Sequence, residues 1–142
     1  VVDYKQAKDN ILIGKLGFGN DILEELTSIC IKEKITLGKI EAIGAVQRAC
    51  VAFFNQATRK YQYINYDRPS EIINLTGNIT IKEDKPFVHA HIVLADESGN
   101  AYGGHLAPGT IVFACEFIIT QFSGAGLKRE VDKTTGLYLW NE

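Results

Sequence analysis

The sequence predicts an α+β domain, a predominantly antiparallel sheet with one main helix packed on it. Three observations predict this. Short runs with apolar residues at alternate positions recur along the chain, as strands with one buried face require. Most are joined by brief turn signals, which favour antiparallel pairing. A single segment combines helical spacing with a start signal. The 142 residues read as one domain, long enough to bury a core.

Taken in order, residues 10–16 (NILIGKL) form a first strand, broken by Gly17, Phe18 and Gly19. The helix follows. Asn20 or Asp21 can cap it, and Glu24 stands three residues after Asp21 as in a capping box. Ile22, Leu26 and Ile29 fall on one face with Leu23 and Cys30 beside them, and the helix should end near Lys34. Residues 38–46 read as a strand bent at Gly44, and residues 49–54 as a separate apolar strand. After a turn at residues 55–58, Tyr61 and Tyr63 share one face of the next run.

Residues 71–82 (EIINLTGNITIK) show a clear two-residue period, with Ile73, Leu75, Ile79 and Ile81 on one face and Ile72 on the other. Gly77 in mid-strand implies a bend or the close approach of another backbone. In the next strand Val88, Ala90, Ile92 and Leu94 make the apolar face. Residues 110–120 (TIVFACEFIIT) are apolar on both faces, as in a central or assembly-buried strand. A last hairpin spans residues 127–131 and 137–140.

All three histidines, His89, His91 and His105, lie within residues 87–109. His89 and His91 are two apart in a strand, so they point the same way. The position of His105 depends on the intervening turn. With Glu97, Ser98 and Gly99 as a three-residue loop, His91 lies opposite His105 and three imidazoles converge. A two-residue loop would place His105 on the other face.

Three neutral imidazoles with an open position form a known site for divalent first-row metals, with zinc the first choice. The plainer alternative is that the histidines only hydrogen-bond in a polar cleft or subunit seam. Glu116 is the single charge in its apolar strand. It could support a ligand histidine or bind an arginine across an interface. Asp96 and Glu97 read as solvated turn residues, and Lys128 with Arg129 as a solvated basic pair.

Net charge is −2, so no global positive field draws the chain to nucleic acid. No apolar run approaches the roughly 20 residues of a membrane span. Cys30, Cys50 and Cys115 are scattered, as expected of buried free thiols in a reducing compartment. With no signal-peptide pattern at its start, the chain is expected to be cytoplasmic. The glycines of GKLGFGN precede a helix, but there is no GKS or GKT of a phosphate loop and the spacing does not match a dinucleotide fingerprint.

The run of HAH, ADESG and GGHL, then a glycine and a strand ending in glutamate, resembles the plant and prokaryote conserved (PPC) domain. GNDILEELTSICIKEKITLGKIEAIGAVQRA is similar to the opening half of that family, and EIINLTGNI to its following strand. The resemblance implies an antiparallel sheet with one main helix, assembled as a homotrimer. In plants the domain follows Arg-Gly-Arg-Pro segments that enter the DNA minor groove, and prokaryotic members are assigned to DNA binding by that analogy. No such segment occurs in this sequence. The expectation is therefore a stand-alone homotrimeric module with a metal or small-ligand site at His89, His91 and His105. The alternatives are a metal-dependent enzyme using that site and a purely structural assembly module.

Overall fold

A computed structural model describes residues 2–141. Ten strands and one helix follow the order β1 (Asp3–Lys8), β2 (Ile11–Leu16), α1 (Ile22–Lys32), β3 (Gly38–Asn55), β4 (Lys60–Tyr66), β5 (Ser70–Lys82), β6 (Lys85–Ala95), β7 (Ala101–Leu106), β8 (Ile111–Gln121), β9 (Arg129–Val131) and β10 (Tyr138–Trp140). Eight strands form an antiparallel sheet in the order β1-β2-β8-β3-β5-β6-β7, and β4 pairs with β3. A separate two-stranded ribbon is made by β9 and β10.

The sheet dominates, and the helix is short. Asp21 caps α1 by accepting the Glu24 backbone N–H at 3.1 Å. Glu25, rather than Glu24, ties the helix to the loop before it. Its carboxylate accepts the Gly17 N–H at 2.8 Å and the Asn20 amide at 2.7 Å. Ile22, Leu26, Ile29 and Cys30 enter the same core as the inward residues of β2, β3, β5, β6 and β8. Each fully buried Ile or Leu contributes about 1.5–3 kcal/mol.

The two runs expected at residues 38–46 and 49–54 are one eighteen-residue strand. Gly44, at φ 145°, lets β3 turn without ending, and a side chain there would strike the Ala114 carbonyl. The first half of β3 pairs with β5 and β8, and the second half with β4. Val51 and Ala52 also reach Leu106 and His105 of β7. Strands β3, β5, β6 and β7 thus close on one another.

Strand β8 is central, between β2 and β3, as its apolar composition implied. Val112, Cys115, Phe117 and Ile119 face the core, whereas Phe113 and Ile118 are exposed on the other side.

Three expectations need correction. The first strand is not residues 10–16 but the polar segment DYKQAK, which forms β1 along the edge of the sheet against β2. The faces assigned to Ile72 and Ile73 are reversed. A bulge between Ile72 and Asn74 buries Ile72 and leaves Ile73 exposed. Beyond the bulge, Leu75 and Ile79 are buried as expected. Finally, Arg129 is not a solvated cation but is 6% exposed. Gly77 marks a close backbone approach, since a side chain there would collide with the His89 carbonyl and Ala90.

Candidate metal centre

The centre begins with two hairpins of different kinds. The β5–β6 turn has two residues, Glu83 and Asp84, at φ 51° and 61°. It sets Asn78 against His89 and Thr76 against His91. The β6–β7 turn is the three-residue loop Glu97-Ser98-Gly99, with Gly99 at φ 78°. Asp96 N–H donates to the Asn100 carbonyl at 3.1 Å, and Gly99 N–H to the Asp96 carbonyl at 2.9 Å.

Asp96 is therefore more than a solvated turn residue. One carboxylate oxygen accepts the N–H groups of Ser98 and Asn100, both at 2.9 Å. The Asn100 and Ser98 bonds, with Arg68 nearby, hold its carboxyl below the usual carboxylate range. This loop places His91 directly opposite His105.

The three rings converge. Centroids are 5.2 Å apart for His89 and His91, 5.0 Å for His89 and His105, and 5.7 Å for His91 and His105. One nitrogen from each lies within 4.8 Å of the others. A tetrahedral zinc with bonds of about 2.0–2.1 Å needs nitrogens roughly 3.4 Å apart, so small side-chain rotations would close the set. His89 and His105 are half-buried and His91 is exposed, which leaves an open side.

The electrostatics favour ligation. Burial lowers the His89 pKa to about 4, with further lowering from His105, Arg129 and His91. Burial also lowers His105, as do His91 and Arg129. Both imidazoles are consequently neutral near pH 7, the form that binds metal.

Two neighbours complete the surroundings. The Tyr61 ring lies 5.1 Å from that of His105. Arg129 approaches from the ribbon, with Nη2 3.5 Å from His89 Nδ1. Its guanidinium donates from Nε to Thr80 Oγ1 at 2.7 Å, from Nη1 to the Tyr138 carbonyl at 2.9 Å and from Nη2 to Asn78 Oδ1 at 2.8 Å. The faces of Phe87 and Trp140 lie 5.3 and 4.9 Å from it. Sequence reading missed Arg129. Its only local signal was the adjacent hairpin, because the contacts to Thr80, Asn78 and His89 span 49, 51 and 40 positions.

Glu116 does not join the histidines within one chain. It pairs in register with Lys15 and Ile43, whereas His105 pairs with Ala52, nine residues further along β3, and strands β3 and β5 stand between β8 and β6. Three strand spacings amount to roughly 14 Å. Glu116 is exposed, so no burial cost requires a partner within the chain.

With this geometry in hand, the relatives become informative. A metal-containing protein from Archaeoglobus fulgidus is 34% identical with a TM-score of 0.89, over 100% of this chain and 99% of that one. A plant- and prokaryote-conserved (PPC) protein from Pyrococcus horikoshii is 30% identical with a TM-score of 0.88, over 100% and 95%. A protein from Bacteroides thetaiotaomicron, provisionally described as DNA-binding, is 28% identical with a TM-score of 0.92, over 99% and 96%.

Among curated proteins, the bifunctional protein GlmU of Synechococcus sp. (strain JA-3-3Ab) is 27% identical over 120 residues. The match spans 83% of this chain but 18% of that protein. The profile of the Plants and Prokaryotes Conserved (PCC) domain matches residues 4–123. The chain belongs to that family.

Proposed function

We propose that this chain is a homotrimeric PPC module that binds one divalent metal ion through His89, His91 and His105, with zinc the first choice. The observation that carries the reading is the convergence of the three imidazoles on one open-sided face. The similarity to a metal-containing relative supports it. Three neutral ligands would leave the ion its full charge and a free position, so it could polarise a bound carbonyl or water. That is the chemistry a metal-dependent enzyme would use.

The assembly part rests on a different surface. Ile13, Ile43, Ile73, Phe113 and Ile118 are all exposed large hydrophobics, 39–60% accessible. Ile13, Ile43 and Ile118 line an open groove of about 860 Å³ with Glu116. Contiguous apolar surface of this kind suits contact with another subunit. Glu116 then fits its second expected role, facing a cation across that contact. DNA binding is the other reading, and the provisional descriptions of two relatives favour it.

Metal analysis of the purified protein tests the site. About one ion per chain is expected, falling to near zero in His91→Ala. Equal metal content in the two proteins would sink the reading. Sedimentation at micromolar concentration tests assembly, and a monomer would contradict the trimer.

A further inference from the structure

Arg129 holds a positive charge beside a site already designed for one. The four ion pairs among the described residues are Lys15–Asp3, Lys39–Glu41, Arg68–Asp96 and Lys128–Asp84. None includes Arg129, whose hydrogen bonds go to a hydroxyl, a carbonyl and an amide oxygen, with His89 Nδ1 at 3.5 Å. The Phe87 and Trp140 faces offset part of the charge. Burying a cation without a counter-ion is costly, and it is normally paired.

A structural role explains only part of this. Arg129 pins the β9–β10 ribbon to β5 through Thr80, Asn78 and the Tyr138 carbonyl. Neutral acceptors of that kind do not require a permanent charge. Nor does pinning explain why a cation is placed against His89, where it opposes any ion the histidines hold. Three neutral imidazoles and a divalent metal carry a net charge of +2, and Arg129 raises it to +3. No carboxylate among the described residues joins the metal-ligating group.

We propose that the site takes a small oxyanion, a carboxylate or phosphate, with one oxygen on the metal's open position and another on the Arg129 guanidinium. This rests on the reading that the histidines hold a divalent ion. The clamp from Thr80, Asn78 and Tyr138 fixes the guanidinium before the ligand arrives, so little ordering cost remains. Thr80, Asn78 and Tyr138 take three of the five guanidinium N–H groups, which leaves donors for the anion's oxygen. Metal and anion then bind cooperatively, because the anion offsets the repulsion between the ion and Arg129, and the ion adds a second positive partner for the anion.

The test uses cobalt(II) as both metal and visible probe, in a non-coordinating buffer at neutral pH. Acetate and inorganic phosphate are titrated in separate arms, and the tighter one identifies the oxyanion class. The cobalt bands should shift and saturate with either or both. In Arg129→Gln the anion dissociation constant should rise about tenfold or more, with cobalt still bound. Arg129→Lys keeps the charge but loses the fork, and it should weaken anion binding by less. It also carries the test if Arg129→Gln does not fold.

Two results overturn the anion. One is cobalt bands that neither anion moves. The other is equal anion affinity in the wild type and in every folded variant. If the wild type binds no cobalt, the metal reading falls and takes the anion with it. If cobalt binds and the bands stay fixed, only the anion falls.

Discussion

The β6–β7 hairpin and the β9–β10 ribbon meet at His89, but different physics holds each of them. The hairpin is local. Its loop is tied by Asp96, and its register follows from loop length. The ribbon has three residues per strand and little core of its own. It is fastened by Arg129, by Arg59 donating to the Lys133 and Thr134 carbonyls, and by the Ile81 N–H on the Leu127 carbonyl. The metal ligands thus stand on the part specified by its own turn, while the neighbouring cation stands on the part specified from a distance.

That contrast can be broken most directly beside the loop. Deleting Gly103 would keep the three-residue turn, pair His105 with Ile92 instead of His91 and so move it to the opposite face. Metal content should drop from about one ion per chain to near zero while β5 and β6 persist. Retained stoichiometric metal would show that register is not set by the loop.

A smaller effect is expected from Arg129→Ala. It strips the ribbon of its clamp and leaves the buried Thr80 hydroxyl without that donor. A loss of about 2 kcal/mol is expected. Amide exchange should accelerate in residues 129–140 and stay slow at His91. Uniform acceleration would mean that the ribbon is not a separately fastened unit.

Acidity sharpens the same comparison. In the metal-free protein, His89 resists protonation down to about pH 4, and the His105 pKa is lowered too. The groups facing them are His91, Tyr61 and Arg129. In the unfolded chain a histidine takes its proton near pH 6.5. Between these limits the unfolded state binds more protons, so stability is full above about pH 6.5 and declines toward pH 4. Urea midpoints against pH should show this slope, and His89→Asn should flatten it. An unchanged slope would remove His89 as its source.

The smallest effect concerns Glu116. Glu116→Gln should leave metal content unaltered, since Glu116 pairs with Ile43 and His105 with Ala52, nine residues further along β3. Its consequence should instead be a weaker assembly in sedimentation.

Much of the centre was legible because its determinants are neighbours in sequence. The alternation through His89 and His91, the glycine of the loop and the parity of the register are local rules. The capped helix and the central β8 strand were legible for the same reason. Misreadings arose where distant pairing overrode local pattern. A bulge reversed Ile72 and Ile73, and the polar β1 segment became a strand only because β2 offered an edge.

By itself the sequence determined that an antiparallel sheet would form and that one hairpin could present three imidazoles together. Their spacing and turn chemistry act within a few residues, before any fold exists. Only the tertiary structure decided that β3 would continue through Gly44 and close against His105. Only it separated Glu116 from the histidines and buried Arg129 beside His89. Those outcomes depend on contacts between residues about 40 to 75 positions apart, and no local pattern encodes which distant group will be met.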